Sequence, residues 1–151
     1  MKKAVGLYVK TAILAIIMAF FLGYAFQITE VTGNSMMPVI NDDDIVLLNR
    51  LAYVKEDPCV GDIVVFRTSL RTTSGEGSYL IKRVAAVSGD VVQTTEGTAK
   101  TVEEGYVYVL GDNSAASLDS RNKSIGQVPI DKILGKVEIR IRPFEKIGYI
   151  E

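Results

Sequence analysis

The chain offers few side chains from which a catalytic nucleophile can be built. Its 151 residues include no histidine and a single cysteine, Cys59. Without histidine, Cys59 has no partner for the thiolate pair of a cysteine protease, so we interpret it as an inert or exposed thiol. Serine remains, but a serine hydroxyl needs a neighbour that accepts its proton. Without histidine, the candidates for that neighbour are a carboxylate and a neutral lysine.

Lys82 lies in a sequence context that suits a proton acceptor. A lysine amine has an ordinary pKa of about 10.4, so it accepts a proton at neutral pH only after it loses its contact with water. Lys82 follows Tyr79, Leu80 and Ile81 and precedes the run Val84-Ala85-Ala86-Val87, the most apolar stretch outside the N-terminus. The same context also fits an ordinary strand lysine that points to solvent. A buried, functional Lys82 is therefore a hypothesis at this point.

The elements that would position such a pair begin with an apolar N-terminal segment. Residues 6–28 carry one charge, Lys10, and about 20 apolar helical residues cross a bilayer. The basic residues precede the almost wholly apolar part of this segment, residues 11–26, and Glu30 follows it, which predicts a cytoplasmic N-terminus. We expect residues 1–28 to form the N-terminus and one transmembrane helix, and residues 29–151 to form a β-rich extracytoplasmic domain. A cleaved secretory signal and a buried core helix are the alternatives.

The composition excludes several classes of function. The formal net charge is -1, from 17 basic and 18 acidic residues, so no strong field would attract nucleic acid. One cysteine and no histidine also argue against a metal centre, and no sequence feature indicates a cofactor. The triplet Asp42-Asp43-Asp44 lacks the spacing of a calcium loop, so we interpret it as a solvated turn before a strand.

Most of the remaining chain is typical of short β-strands. Seven apolar or β-branched runs are separated by turns that contain glycine and aspartate. They are residues 45–48, 62–66, 79–81, 84–87, 91–92, 106–110 and 137–141. Two stretches are predicted to be loops: residues 68–78, which are rich in serine, threonine and glycine, and residues 94–104, which have little apolar content. The sequence thus predicts an all-β domain behind the helix.

Four segments in this order resemble the conserved boxes of bacterial type I signal peptidases, a family of membrane-bound serine proteases. They are Gly33-Asn34-Ser35-Met36-Met37-Pro38, Gly61-Asp62-Ile63-Val64-Val65-Phe66, residues 79–90 around Ile81-Lys82-Arg83-Val84, and residues 111–121, which read GDNSAASLDSR. Together with the apolar N-terminus they cover nearly the whole chain. The resemblance implies an antiparallel β-sheet catalytic domain after a single transmembrane helix.

The resemblance also implies roles for individual residues. Ser35 would attack the scissile carbonyl, Lys82 would act as its general base, and the Ser117 hydroxyl would orient the lysine amine. Asp112 would pair with Arg83 to hold the lysine strand, and the structural positions also include Asp119 and Arg121. Some relatives carry a serine at the position of Gly33 that donates to the oxyanion. With glycine there, the Ser35 N–H is the expected donor, with a backbone N–H near Gly33 as a second candidate.

The substrates implied by the resemblance are exported preproteins that carry signal peptides. An extended peptide would lie between the segment before Ser35 and the strand before Lys82. Shallow pockets for alanine-like side chains, which would explain cleavage after Ala-x-Ala, would be lined by Val31, Gly33, Met36, Ile40, Leu80 and Ile81. Met36 fits core packing equally well. The enzyme would work at the cell membrane without a cofactor or metal, and an apolar rim beside its site would rest on the lipid bilayer.

Three other classes of protein remain open. The first is another serine/lysine peptidase, such as a pilin-processing enzyme or a self-cleaving repressor domain. The second is a penicillin-recognising enzyme, since Ser120-Arg121-Asn122-Lys123 fits S-x-x-K, although the companion motifs are absent from the sequence. The third is a non-catalytic anchored β-domain, which the presence of both Ser35 and Lys82 disfavours.

Overall fold

The computed structural model describes residues 2–68, 70, 78–93 and 97–150, with side chains from residue 6 onward. Most of the predicted loop 68–78 and the first residues of the predicted loop 94–104 lie outside the described residues. The chain begins with one helix and continues as a β-structure, which confirms the predicted fold class.

Helix α1 spans Lys2–Ala25 and is apolar over Gly6–Ala25, which is long enough to cross a membrane. Side chains 6–24 are all exposed, which contradicts the alternative of a buried core helix. The helix ends three residues earlier than the predicted boundary at 28. The reason is that Phe26–Glu30 pairs with Ile45–Asn49, so backbone groups that would continue the helix bond to a neighbouring strand instead.

Ten strands follow in the described residues, and all their pairings are antiparallel. They are β1 Phe26–Glu30, β2 Ile45–Asn49, β3 Ile63–Arg67, β4 Tyr79–Ala86, β5 Val91–Gln93, β6 Ala99–Thr101, β7 Tyr106–Leu110, β8 Val128–Pro129, β9 Ile133–Arg142 and β10 Gly148–Tyr149. The main sheet has the order β1-β2-β9-β3-β4-β7-β8, with β10 paired to β9, and β5 and β6 form a separate ribbon. Short 3-10 helices span Ser114–Ala116, Ile130–Lys132 and Phe144–Lys146.

Two differences from the predicted strands have simple causes. The run 79–81 and residues 84–86 of the next run belong to a single strand, β4, because Lys82 and Arg83 continue its pairing with β3. Strand β6, Ala99–Thr101, lies inside the predicted loop 94–104, so that loop prediction was wrong for these residues. All three residues of β6 are exposed and the strand forms through backbone pairing with β5, which leaves no apolar pattern to recognise.

Strand β3 lies in the middle of the main sheet and contributes to two apolar clusters. Ile63 and Val65 belong to one cluster, whose other buried members are Val31, Met36, Ile40, Val46, Leu48 and Val137. Val64 and Phe66 belong to the other, together with Val84, Val107, Val109 and Val128. Each fully buried side chain of this size stabilises the fold by about 1.5–3 kcal/mol. The rigid centre of the sheet therefore adjoins both Met36 and Val84, which lie close in sequence to Ser35 and Lys82.

The acidic triplet before β2 is only partly the solvated turn that the sequence predicts. Asp42 and Asp43 are exposed, but Asp44 is buried, so the prediction was wrong for Asp44. Its carboxylate accepts hydrogen bonds from the Asn41 N–H and from Arg140 Nε, each at 2.9 Å, and Arg140 also donates to the Val39 carbonyl oxygen. A charged pair between partners 96 residues apart is what makes the burial of Asp44 tolerable.

Candidate active site

Ser35 lies in the turn that leads from β1 to β2. The Ile40 N–H donates to the Met36 carbonyl at 2.9 Å, and the Met37 N–H donates to the Asn34 carbonyl at 3.3 Å. Met36 and Ile40 are buried in the cluster around Val65, so the apolar side chains fix the turn from below. Ser35 itself stays partly exposed. The turn thus presents one hydroxyl from a well-anchored backbone.

The Lys82 amine contacts that hydroxyl across 47 residues of sequence. Its Nζ lies 2.7 Å from Ser35 Oγ and 2.8 Å from the Ile81 carbonyl oxygen, and the residue is only 2% exposed. Burial lowers the pKa of Lys82 to about 8, while the negative charges of Asp119 and Asp112 act in the opposite direction. A pKa near 8 leaves about a tenth of the amine neutral at pH 7. A neutral amine at this distance can accept the proton of a hydroxyl.

The segment that follows β7 packs directly against the turn that carries Ser35. The Asn113 backbone N–H donates to the Ser35 carbonyl at 3.0 Å, and Asn113 Nδ2 donates to the Asn34 carbonyl, also at 3.0 Å. A β-carbon at Gly111 would overlap both the Ser35 carbonyl oxygen and the Ser117 hydroxyl, so this close approach requires glycine. Asn113 therefore bonds the carbonyl groups of the two peptide units that flank the Ser35 α-carbon.

Asp119 organises the far end of this segment. It is fully buried and accepts hydrogen bonds from Arg121 Nη2 at 2.7 Å, Arg121 Nε at 2.9 Å and the Gly111 N–H at 3.0 Å. Burial opposes its ionisation, but the bonds from Arg121 and Gly111, together with the nearby Ser117 hydroxyl, lower the pKa of Asp119 to about 2. Asp119 is therefore a carboxylate at any pH at which the enzyme would work.

The Ser117 hydroxyl is buried between these groups. It contributes to the low pKa of Asp119, but it makes no hydrogen bond of normal geometry with the residues that the structure describes. The bond to the Lys82 amine that the resemblance implies is therefore not formed in this conformation. A buried hydroxyl without a hydrogen-bond partner costs free energy. Ser117 is therefore available to bond a group that enters the site or moves within it.

Arg83, the neighbour of Lys82 on β4, makes a two-pronged ion pair with Asp112. The distances are 2.8 Å from Nε and 2.9 Å from Nη2, and Nη1 also donates to the Gly61 carbonyl at 2.9 Å. The hydrogen bonds to Asp112 raise the pKa of Arg83. This pair ties β4 to the segment that carries Asn113 and to the turn before β3.

The two candidate oxyanion donors differ in their availability. Gly33 has a φ of 101°, a conformation that favours glycine, and its N–H donates to the Asp42 carboxylate at 2.6 Å. That N–H is therefore occupied. The Ser35 N–H has no acceptor among the described residues, so it is free to bond a substrate oxygen.

The predicted pocket residues occupy two different environments. Val31, Met36 and Ile40 are buried in the cluster around Val65, and Ile81 packs against the same cluster. Leu80 packs against the cluster around Val64 instead. Three of the predicted lining residues, Val31, Met36 and Ile40, are thus part of the packed core beneath the Ser35 turn. This agrees with the alternative interpretation of Met36 as a core residue.

Sequence reasoning assigns no role to Asn113, although it lies inside the segment 111–121. In the sequence it is only an amide side chain next to Asp112, and its role becomes visible when the structure shows which carbonyl it bonds.

The S-x-x-K serine, Ser120, is buried and its Oγ accepts a hydrogen bond from the Val109 N–H at 2.9 Å. Ser120 is therefore engaged in holding β7.

Comparison with known proteins decides the family. The model of the family described as signal peptidase, peptidase S26, matches residues 5–100 and 93–142. This chain belongs to the S26 signal peptidase family. Members of this family are serine peptidases that remove signal peptides, so the substrates of this S26 peptidase are preproteins that carry them.

Individual relatives come from organelles and from bacteria. The chain is 37% identical over 125 residues to mitochondrial inner membrane protease subunit 1 of Schizosaccharomyces pombe, covering 80% of this chain and 76% of that protein. It is 28% identical over 168 residues to signal peptidase I of Leptolyngbya laminosa, covering 93% and 81%. It is 27% identical over 165 residues to probable signal peptidase I-2 of Synechocystis sp., covering 93% and 75%. These relatives and the apolar helix α1 indicate that this S26 peptidase is anchored in a membrane.

Proposed function

We propose that this chain is a membrane-bound signal peptidase in which Ser35 is the nucleophile and Lys82 is the general base. The observation that carries the proposal is the 2.7 Å contact between Lys82 Nζ and Ser35 Oγ, made by an amine that is 2% exposed and has a pKa of about 8. No carboxylate among the described residues forms an ion pair with this amine, so burial is not offset by a close counter-ion.

In the acylation step the Ser35 Oγ–H proton passes to the neutral Lys82 amine while Oγ bonds to the scissile carbonyl carbon. The resulting ammonium then gives this proton to the leaving nitrogen as the C–N bond breaks, which releases the mature protein. In the second step the neutral amine takes a proton from water, and the hydroxide attacks the acyl ester. The proton returns to Ser35 Oγ as the signal peptide leaves.

The oxyanion of each tetrahedral intermediate would accept a hydrogen bond from the Ser35 N–H. The Gly33 N–H bonds Asp42, which supports the Ser35 N–H as the main donor. Asn113 Nδ2 bonds the Asn34 carbonyl, which belongs to the same peptide unit as the Ser35 N–H. This bond would fix the plane of that peptide and polarise it, so that its N–H points at the oxyanion. We assign Asn113 the role of a positioning residue.

The substrate would extend the sheet along the open edge of β4. Residues 79–82 pair with β3 on one side, whereas the described pairing of β4 with β7 begins only at Arg83. The free edge therefore ends beside Lys82, where an added peptide strand would deliver its scissile carbonyl to Ser35. Ile81 on this edge packs against the cluster that contains Met36 and Ile40. An interior filled in this way would leave space only for small substrate side chains, which supports cleavage after Ala-x-Ala.

Ser117 retains its proposed role of orienting the amine. Its unbonded hydroxyl would turn towards the Lys82 amine when substrate excludes water from the site. Asp119 and Arg121 would hold the segment around Ser117, and the Arg83–Asp112 pair would hold the lysine strand. The three lysines in the first part of α1 and Glu30 after its end support a cytoplasmic N-terminus with the catalytic domain on the other side of the cell membrane.

The direct test is cleavage of one purified preprotein by the full chain in detergent micelles. We expect a new N-terminus after an Ala-x-Ala sequence and no product from the Ser35→Ala variant. A preprotein with a bulky residue in place of the alanine before the cut should stay intact. Cleavage by Ser35→Ala at the normal rate would exclude Ser35 as the nucleophile, and cleavage of the bulky substrate would contradict the small pocket.

A further inference from the structure

A cavity of about 400 Å³ lies where helix α1 meets the sheet, away from Ser35 and Lys82. We refer to it as the basic cavity. Its walls carry Tyr24, Arg50, Arg67, Asp131 and Lys132, and the first residues of β9 close it. These residues come from the end of α1, the ends of β2 and β3, and the 3-10 helix Ile130–Lys132 that precedes β9. The fold thus gathers three cations from three separate segments.

The cations in the basic cavity are poorly neutralised. Arg50 stacks on the Tyr24 ring, with its guanidinium carbon 5.0 Å from the ring centre. Neither Arg50 nor Arg67 forms an ion pair with a carboxylate within the part of the chain that the structure describes. Lys132 reaches Asp131 only at 3.9 Å, and both side chains are more than half exposed. The site has a surplus of positive charge that suits an anion, and guanidinium groups suit phosphate oxygens in particular.

The position of the basic cavity suggests the source of that anion. Tyr24 is the last residue but one of the apolar segment Gly6–Ala25, and the Arg50 N–H donates to the Ala25 carbonyl at 2.9 Å. If α1 crosses the bilayer, its last turn lies at the level of the lipid headgroups, where tyrosine is enriched. The exposed apolar side chains of the preceding turns, such as Phe21 and Leu22, would then lie beside the acyl chains of a lipid held there.

We propose that the basic cavity binds the phosphate of an anionic phospholipid, an inference that rests on the membrane-anchoring part of the proposed function. Every phospholipid has a phosphate, but the unneutralised charges favour a headgroup without a compensating amine. Binding would also have a consequence for the site. Arg67 pairs in register with Tyr79, the first residue of the open edge of β4. A bound headgroup would therefore hold the start of the substrate strand at a fixed height above the bilayer.

Native mass spectrometry of the full chain, released from nanodiscs with equal amounts of phosphatidylcholine and phosphatidylglycerol, tests this proposal. We expect the retained phosphatidylglycerol to exceed the retained phosphatidylcholine by about tenfold, because a few basic residues near a membrane surface favour anionic lipid by about this factor. The triple variant Arg50→Gln, Arg67→Gln, Lys132→Gln should lose this preference. The matched variant Lys55→Gln, Lys100→Gln, Lys146→Gln removes the same amount of charge elsewhere and should keep it. Equal retention of the two lipids by the wild-type chain would overturn the proposal.

Additional variants and ligands distinguish lipid binding from misfolding and from a site for a soluble anion. If the triple variant unfolds at a lower temperature, the double variant Arg67→Gln, Lys132→Gln, which leaves the half-buried Arg50 in place, carries the test. Inorganic phosphate should not displace the lipid; displacement at millimolar concentration would indicate a site for a soluble anion and overturn the lipid assignment. The Ser35→Ala variant should retain lipid as the wild type does, because failure of the catalytic proposal leaves this binding unchanged. If alkaline carbonate extracts the chain from membranes, α1 does not span the bilayer. That result would contradict both the membrane anchor and the lipid site.

Discussion

Lys82 and Arg83 are adjacent on β4 and their side chains point to opposite faces of the strand. Arg83 meets a carboxylate at 2.8 Å, and its pKa is raised by the hydrogen bonds to Asp112. Lys82 meets a hydroxyl and a carbonyl oxygen, and burial lowers its pKa to about 8. One strand therefore holds a permanent cation for structure beside an amine that can lose its proton. The two pKa values shift in opposite directions because Arg83 meets a carboxylate on one face of the strand, whereas Lys82 meets only neutral oxygens on the other.

A second lysine sharpens this comparison. Val64 of β3 pairs in register with Lys82 on one side and with Lys136 of β9 on the other. Lys136 forms an ion pair with Asp62 at 2.7 Å, and the hydrogen bond to Asp62 raises its pKa. Two lysines in one row of the sheet thus have pKa values shifted in opposite directions, so position in the sheet alone does not produce a base.

The largest effect is expected from Lys82→Met, which keeps the length of the side chain and removes the amine. Loss of the proposed general base should lower the rate of preprotein cleavage by about 10³-fold or more. In the folded chain the amine is protonated below a pH of about 8, where its burial costs most. This cost falls as the pH rises above about 8 and is gone above the unfolded pKa of 10.5. Lys82→Met should therefore raise the melting temperature at pH 7, by an amount equivalent to about 1–3 kcal/mol.

The matched control for this prediction is Lys136→Met. It removes a lysine from the same row but breaks an ion pair, so cleavage should continue at a near-normal rate while the melting temperature falls. Equal loss of activity in the two variants would mean that Lys82 acts through the fold rather than as a base.

The carboxylates behind the site should matter chiefly for stability. Asp119 is completely buried, whereas the Arg121 side chain is 32% exposed, so Asp119→Asn weakens the hydrogen bonds to the carboxylate without burying an unpaired charge and should cost about 1.5–3 kcal/mol of unfolding free energy. Its folded pKa of about 2 lies below the unfolded 3.8, so its stabilising contribution is complete above pH 3.8 and is lost as the pH falls through about 2. Thermal denaturation at neutral pH and in acid measures both effects.

The control for this prediction is Glu103→Gln, which breaks the exposed 3.6 Å pair with Lys100. It should change the unfolding free energy by less than about 0.5 kcal/mol.

The strands and the chemistry of the site are predictable from sequence to different degrees. Apolar runs such as 106–110 and 62–66 are visible because one or both faces of those strands are buried. The sequence extends the helix into strand β1 because Phe26 and Ile28 continue the apolar run, and the pairing with β2 that ends the helix involves residues about 20 positions later. Strand β6 has no buried residue and so leaves no pattern.

The candidate site shows a similar division. Residue types alone restrict the base to lysine or a carboxylate, and the resemblance selects Ser35 and Lys82. Neither reveals that Asn113 bonds the Asn34 carbonyl or that Asp42 occupies the Gly33 N–H, because in each bond one partner is a main-chain group, which every residue has. The buried pair of Asp44 and Arg140 is hidden for another reason: each charge alone resembles a solvated surface residue.

Asn113→Ala tests whether the peptide before Ser35 must be held in place for catalysis. The variant keeps the backbone bond to the Ser35 carbonyl but loses the side-chain bond to the Asn34 carbonyl. We expect kcat to fall by about 10- to 100-fold with KM nearly unchanged, because a misaligned Ser35 N–H weakens transition-state binding only. Steady-state cleavage of a signal-peptide substrate by the purified variant measures both constants.

Gln127→Ala is the matched control, since its amide also links two segments. Gln127 Nε2 donates to the Thr101 carbonyl at 2.9 Å, and Gln127 Oε1 accepts from the Glu103 N–H at 2.9 Å. This variant should lose a similar amount of stability and keep its kcat. A parallel rise in KM and fall in kcat for Asn113→Ala would instead indicate a general loosening of the site.

The smallest effect is a displacement of the pH profile in Asp112→Asn. In the wild-type enzyme the acidic limb of kcat/KM should rise with a midpoint at a pH of about 8, where Lys82 loses its proton. Asp112 and Asp119 both raise the pKa of Lys82, so removing the Asp112 charge lowers it, and the released Arg83 charge acts in the same direction. The limb should move to lower pH, and activity at pH 6 relative to the plateau should increase about twofold. Glu103→Gln removes a remote carboxylate and should leave the limb in place; a limb that moves to higher pH in Asp112→Asn would show that an acid other than Lys82 controls it.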